Sequence, residues 1–135
     1  QTLSVTYSTI PSQGVIVQYV CTGTRTTNPW LGAATTNQVS DTSISLAMPC
    51  QVGALAIDAV AVRAIDTGAP IIGADQTELY NIAAGGANFD AAGSTEVGAA
   101  TNTMSWSAAT TEIWGSVGGC LVPASSSRVG VLFLD

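Results

Sequence analysis

The side chains able to do chemistry in this 135-residue chain are nine carboxylates, three arginines (Arg25, Arg63, Arg128) and three cysteines; histidine and lysine are absent. Acid–base catalysis near neutral pH relies most often on a group that titrates there or can be tuned to do so, and the two commonest choices are the missing ones. A cysteine nucleophile would lack the imidazole that generates its thiolate. No Gly-rich segment carries a phosphate-loop pattern with its lysine. The residue types therefore point away from an enzyme.

The carboxylates that fall in turn-rich segments, Asp66, Asp75, Glu78 and Asp90, could gather around calcium, since hard oxygen ligands on loops suit that ion. They lack the dense D-x-D-x-D spacing of a strong calcium signature, so solvated loop acids are the plainer reading and no cofactor is expected. A glycosidase pair would need two carboxyls at a set separation across a cleft, and no spacing in the chain singles out such a pair. Asp58 differs from these, because it interrupts the apolar run from Ala54 to Arg63. A charge there must be satisfied, by loop backbone or by an arginine such as Arg63. The cysteines Cys21, Cys50 and Cys120 are widely spaced, with no C-x-x-C and no histidine to complete a zinc tetrahedron. They read as small buried hydrophobes, or as one disulfide plus an odd thiol in an oxidising compartment, with the pairing open.

Three tryptophans offer a different chemistry, stacking against sugars. Trp106 shares a strand face with Met104 and reads as core, which leaves Trp30 as the one in a segment expected to be exposed. A glycan is thus a conceivable partner. Nucleic acid is not, because the net charge is −6 and no cluster of cations exists to meet phosphates. The same deficit argues against anionic membrane surfaces. The longest apolar run, Val52 to Val62, falls short of the roughly 18 to 20 residues needed to span a bilayer.

Hydrophobic residues make up 47% of the chain and charged residues only 9%, against roughly 25% charged in an ordinary soluble domain. Thr, Ser, Ala and Gly fill the gap. Such a chain folds, but its surface repels other copies weakly, because few charges must be desolvated when two meet. Copies of itself are the expected partner. The length suits one domain over residues 1–135. The start at Gln1, without a charged-then-apolar leader, leads us to expect a processed, exported chain.

The elements that must position these residues are strands. Leu3, Val5 and Tyr7 share one face of Thr2 to Ser8, and Val15, Val17, Tyr19 and Cys21 do so after the turn at Pro11 to Gly14, which predicts a hairpin. Thr22 to Gln38 reads as a long loop holding Trp30. Ile44, Leu46 and Met48 alternate with serines, and Ala54 to Arg63 reads as a central strand. Gln76 to Ile82, Thr101 to Ser107, Ile113 to Val122 and Val129 to Leu134 complete about eight strands, whereas Ala83 to Ala100 reads as a Gly/Ala-rich excursion pinned by Phe89. The expected fold is an all-β antiparallel sandwich with almost no helix.

The run Gly73-Ala74-Asp75-Gln76-Thr77-Glu78-Leu79-Tyr80-Asn81, then Ala92-Gly93-Ser94-Thr95, Thr103-Met104-Ser105-Trp106 and Trp114 ahead of Pro123, resembles the C-terminal half of jelly-roll-like β-sandwich modules. Those modules recur in secreted and surface-exposed bacterial proteins and in some virion proteins. Leu55 to Ala61, with its Asp58, resembles their preceding central strand. The likeness covers roughly residues 52 to 123; Val122 stands where the family has a basic residue, and the opening strands are fewer. It implies a jelly-roll-like fold and no catalytic residues. The function expected is a non-enzymatic subunit of an extracellular, self-assembling filament or surface structure, with Leu3, Val5, Tyr7 and Trp30 as assembly residues. A virion protein, such as a capsid decoration or fibre module, and a carbohydrate-binding or adhesion module are the alternatives.

Overall fold

The computed structural model describes residues 21, 23–63, 69–83 and 89–124, the side chains of 36–39 and 83 excepted. Among them are six strands and no helix: β1 (Trp30–Pro49), β2 (Leu55–Arg63), β3 (Ile71–Ile72), β4 (Thr77–Ala83), β5 (Asp90–Val97) and β6 (Thr101–Leu121). All pairings are antiparallel. The strands form one sheet in the order β1-β6-β2-β5-β4, with β3 pairing onto β6. The all-β class expected from alternation is the one observed. The expected strands Thr2 to Ser8 and Val129 to Leu134, and Val15 to Cys21 apart from Cys21 itself, lie outside the described residues, as does Asp66.

The long strands organise everything else. β1 and β6, of 20 and 21 residues, pair along their whole length, several times the usual run of about 5 or 6 residues. A ribbon of that length must bend. Between the pairs Asp41↔Glu112 and Ser43↔Ser107 the register slips, β6 carrying the extra residues Ala108 to Thr111, and a bulge of this kind kinks a strand and raises its twist. The far half of the ribbon consequently folds over the near half. Leu46 and Met48 of the far half reach Gly118 of the near half so closely that a Cβ there would lie 2.6 Å from Met48 Cε and 2.9 Å from Leu46 Cδ2. Only a glycine admits that approach.

Two clusters fill the space between the layers. One joins Leu46, Met48 and Met104 to Ala54, Ala56 and the Cys50–Cys120 pair; the other joins Ile44 and Trp106 to Val60, Val62, Ala92 and Trp114. Ile44, Leu46 and Met48 are all buried, as their alternation predicts. The Cys50–Cys120 disulfide spans 70 residues of sequence and ties the end of β1 to the end of β6, and closing a loop of that size in the unfolded chain is worth about 4 kcal/mol. Asn102 secures the turn from β5 into β6, accepting from Ala99 N at 2.8 Å and donating to Val97 O at 2.9 Å.

Three expectations are corrected. The loop expected over Thr22 to Gln38 becomes β1 from Trp30 onward, because its threonines are β-branched and suit a pleated surface. The Ala83 to Ala100 excursion contains β5, whose residues Asp90–Ser94 are buried. Small side chains let β5 sit between β2 and β4, and they leave no alternation to read. The segments Thr101 to Ser107 and Ile113 to Val122 belong to one bent strand.

Candidate functional site

Asp58 is the most constrained polar group in the described fold. In the sheet it stands between Gly118 of β6 and Ser94 of β5, on the face that looks into the fold, and only 1% of its surface is exposed. Oδ1 accepts from the Ser94 backbone N–H at 2.8 Å and from the Ser94 hydroxyl at 2.7 Å. Oδ2 accepts from Trp106 Nε1 at 2.7 Å, across the layers. The network continues outward: Gln76 Nε2 donates to Ser94 Oγ at 2.7 Å, while Gln76 Oε1 accepts from the Ser105 backbone N–H at 2.7 Å. Burial pushes the Asp58 carboxyl above its ordinary 3.8, against the pull of the Ser94 and Trp106 donors. Ser94 of β5 and Trp106 of β6 supply these donors; Arg63 sits exposed at the end of β2.

This arrangement pins layers together. One carboxylate gathers β2, β5 and the folded-over half of β6, and Gln76, just ahead of β4, ties into the same half. Both oxygens of Asp58 accept hydrogen bonds inside the fold, and the residue is almost wholly buried. Gln76 and Ser94 were not singled out as a pair by sequence reasoning. They lie within the Gly73 to Asn81 and Ala92 to Thr95 segments that carry the resemblance, which was the available signal.

Asp66 lies outside the described residues, and the other three loop acids occupy different settings. Asp75 is exposed at a backbone φ of 63°, Glu78 accepts from Asn81 Nδ2 at 2.9 Å, and Asp90 is buried at the start of β5. Among the described residues no group of three or more potential ligands could hold a metal ion. A further buried acid, Glu112, accepts from the Thr110 hydroxyl at 2.6 Å at the ribbon's bend, and Trp114 Nε1 donates to the Asp41 carbonyl at 2.8 Å beside it. Trp114 and Trp106 are both core, each 1% exposed.

The surface that stands out is the opposite face of the sheet. Reading across paired positions, it presents Trp30, Leu121, Leu55 and Val97 in one row, then Ala33, Gly119, Ile57 and Thr95, then Val117 and Ala59 beside Gly93. Arg63 is the one charged side chain on the β2 part of this face. Trp30, Leu55, Leu79, Val97 and Val117 are between 40% and 76% exposed. The Trp30 ring lies over Gly119, where a Cβ would meet it at 2.8 Å. Trp30 is therefore exposed as expected, but it is laid flat on the sheet rather than carried on a loop.

Two open grooves run along this face. The larger, ≈ 510 Å3, is walled by Leu55, Ile57, Leu79 and Leu121 with Cys21 and Gly23 at its rim. The smaller, ≈ 340 Å3, lies between Trp30 and Val117 and shares Ile57. Among the described residues the first also has Thr24 and Thr95 in its lining, and the second Asp58. The sheet's outermost strands are β1 and β4, and among the described residues nothing pairs with their outer edges. Cys21 is exposed and unpaired, so the disulfide is Cys50–Cys120 and the odd thiol is Cys21. No protein-family model matches the chain, and neither the characterised proteins nor the solved structures contain a match.

Proposed function

We propose that the chain is a non-enzymatic structural subunit that associates with copies of itself into an extracellular filament or another surface assembly. The observation that carries this reading is the edge of β1, which has no strand on its outer side among the described residues and runs for 20 residues with Asp41 as its single charged residue. Edges that must stay solitary are usually short, bulged away or guarded by lysine, because their free N–H and C=O groups recruit other strands. β4 is guarded in part, by the bulge at Glu78/Tyr80 and the Glu78 charge. The β1 edge has the ribbon's bend and one aspartate.

A strand from another copy is the natural cover for such an edge, in the manner of strand addition. Thr2 to Ser8, with Leu3, Val5 and Tyr7 on one face, is the candidate donor; it lies outside the described residues. The disulfide and the low charge density suit an oxidising, extracellular setting, and the jelly-roll-like resemblance fits the same setting. Deleting residues 1 to 9 tests the donor. A folded chain that no longer associates supports donation from Thr2 to Ser8; an unfolded chain places that segment in its own core, and unchanged polymers remove it from the interface.

A further inference from the structure

We infer that the chain cross-links itself: the Ser94 hydroxyl attacks the side-chain carboxamide of Gln76, expels ammonia and leaves an ester that ties the approach to β4 to β5. The cross-link is independent of self-association. Ser94 Oγ stands 2.7 Å from Asp58 Oδ1 and 2.7 Å from Gln76 Nε2. The amide nitrogen can only donate, so Ser94 Oγ accepts there and its own proton points at the carboxylate. A hydroxyl held between a base and an acyl carbon is the arrangement that activates serine. One amide C–N bond of about 1.33 Å separates Nε2 from Cδ, which holds that carbon within roughly 4 Å of Ser94 Oγ.

The amide is oriented from its other end as well. Gln76 Oε1, where negative charge develops during attack, accepts from the Ser105 backbone N–H at 2.7 Å, and the Ser105 hydroxyl stands at 3.5 Å. A backbone donor at that distance has the geometry of an oxyanion hole. Gly73 packs against the same oxygen: its N–H donates to Ser105 O at 2.9 Å, and a Cβ on it would lie 2.7 Å from Gln76 Oε1. Asp58 and Ser94 are 1% and 0% exposed. Burial raises the Asp58 carboxyl above its ordinary range, which makes its ionised form the stronger proton acceptor, and the bonds from Trp106 Nε1 and the Ser94 N–H fix its direction.

In the step itself the carboxamide turns about its Cγ–Cδ bond to offer its face, Asp58 Oδ1 takes the hydroxyl proton, and Ser94 Oγ bonds to Gln76 Cδ. The oxyanion on Oε1 then collapses. The Cδ–Nε2 bond breaks with its electron pair on nitrogen, and Asp58 returns the proton to the leaving nitrogen. The products are an ester and ammonia, with Asp58 restored and no further reactant consumed. Ammonia becomes ammonium in neutral water and is diluted there, which draws the exchange forward. Among the described residues β4 is the outermost strand on its side of the sheet, and the ester fastens the chain entering it to β5 by a covalent bond.

Fragment masses of the folded, oxidised chain test this, at isolation and after incubation at neutral pH. The protein is denatured, reduced and cut after glutamate at mildly acidic pH. Cleavage at Glu78 and Glu96 places Gln76 in fragment 1–78 and Ser94 in fragment 79–96. The ester is expected to keep these two joined, at their summed mass less about 17 Da for the ammonia lost, until hydroxylamine separates them. Cyclisation of Gln1 also expels ammonia but joins no fragments. In Asp58→Asn, with folding checked by circular dichroism, the rate of joining is expected to fall below about a hundredth of the parent's, and in Ser94→Ala no joined species forms. Parent fragments that separate completely with the Gln76 amide intact overturn the inference, without reference to any variant. A joined species that survives hydroxylamine, or that persists in Ser94→Ala, overturns it as well, and joining at the parent's rate in Asp58→Asn overturns the step through Asp58.

Discussion

Removing the indole of Trp106 probes both what fills the fold and what holds Asp58. Trp106 is 1% exposed in the cluster with Ile44, Val62 and Trp114, and its Nε1 donates to Asp58 Oδ2. Trp106→Ala leaves a cavity worth about 3 to 5 kcal/mol and strips one donor from a buried carboxyl, a further 1 to 2 kcal/mol or so. The expected loss is about 5 kcal/mol, comparable to the whole stability of many small domains. Trp106→Phe keeps most of the ring and removes the N–H, so it isolates the bond at roughly 1 to 2 kcal/mol. Trp30→Ala is the control. That ring is 51% exposed and rests on Gly119, so its loss costs roughly 1 kcal/mol. Urea unfolding with the disulfide intact reads all three. With slopes of about 1 to 3 kcal/mol per molar, Trp106→Ala moves the midpoint by roughly 2 M or more. Comparable midpoints for Trp106→Ala and Trp30→Ala would refute the division of roles.

The folded-state carboxyl of Asp58 titrates above its unfolded value of 3.8. Its contribution to stability is accordingly full below that value and is lost as pH rises through the raised folded pKa; Asp58→Asn removes this slope from a pH series of unfolding midpoints, and an unchanged slope counts against the assignment. Cys50→Ala with Cys120→Ala lowers stability by about 4 kcal/mol in the same assay, and a loss under about 1 kcal/mol contradicts the bridge's role. Gly118→Ala places a Cβ 2.6 Å from Met48 Cε and 2.8 Å from Ile57 O. It is expected to cost roughly 1 to 3 kcal/mol, whereas a stability equal to the parent would mean that the layers are not in contact there. Ser45→Lys with Ala47→Lys charges exposed positions of β1; it is expected to suppress association while leaving the circular dichroism spectrum unchanged, and association at the parent's concentration counts against the edge.

Much of the buried face was legible because period-2 alternation survives wherever side chains are large. Ile44, Leu46 and Met48 announce the inward face of β1, and Met104 with Trp106 does the same for β6. The run around Asp58 reads as a central strand and is one, between β6 and β5. β5 was hidden because Ala91, Ala92 and Gly93 are too small to mark a face. The joining of two expected strands into β6 was hidden because Ser107 to Thr111 carries no large side chain and resembles a turn. The Asp58 network depended on register: Ser94 meets Asp58 from 36 residues away and Trp106 from 48. Local pattern says that Asp58 must be satisfied, and only the pairing of β2 with β5 and the folding-over of β6 say by what.

The central claim, that this chain builds an assembly with copies of itself, is tested most directly by negative-stain microscopy of the oxidised 135-residue chain. It is examined over a concentration series and alongside the Ser45→Lys/Ala47→Lys variant. Regular polymers from the parent chain, lost in the variant, are the expected result. Monodisperse monomers at every concentration would contradict the claim.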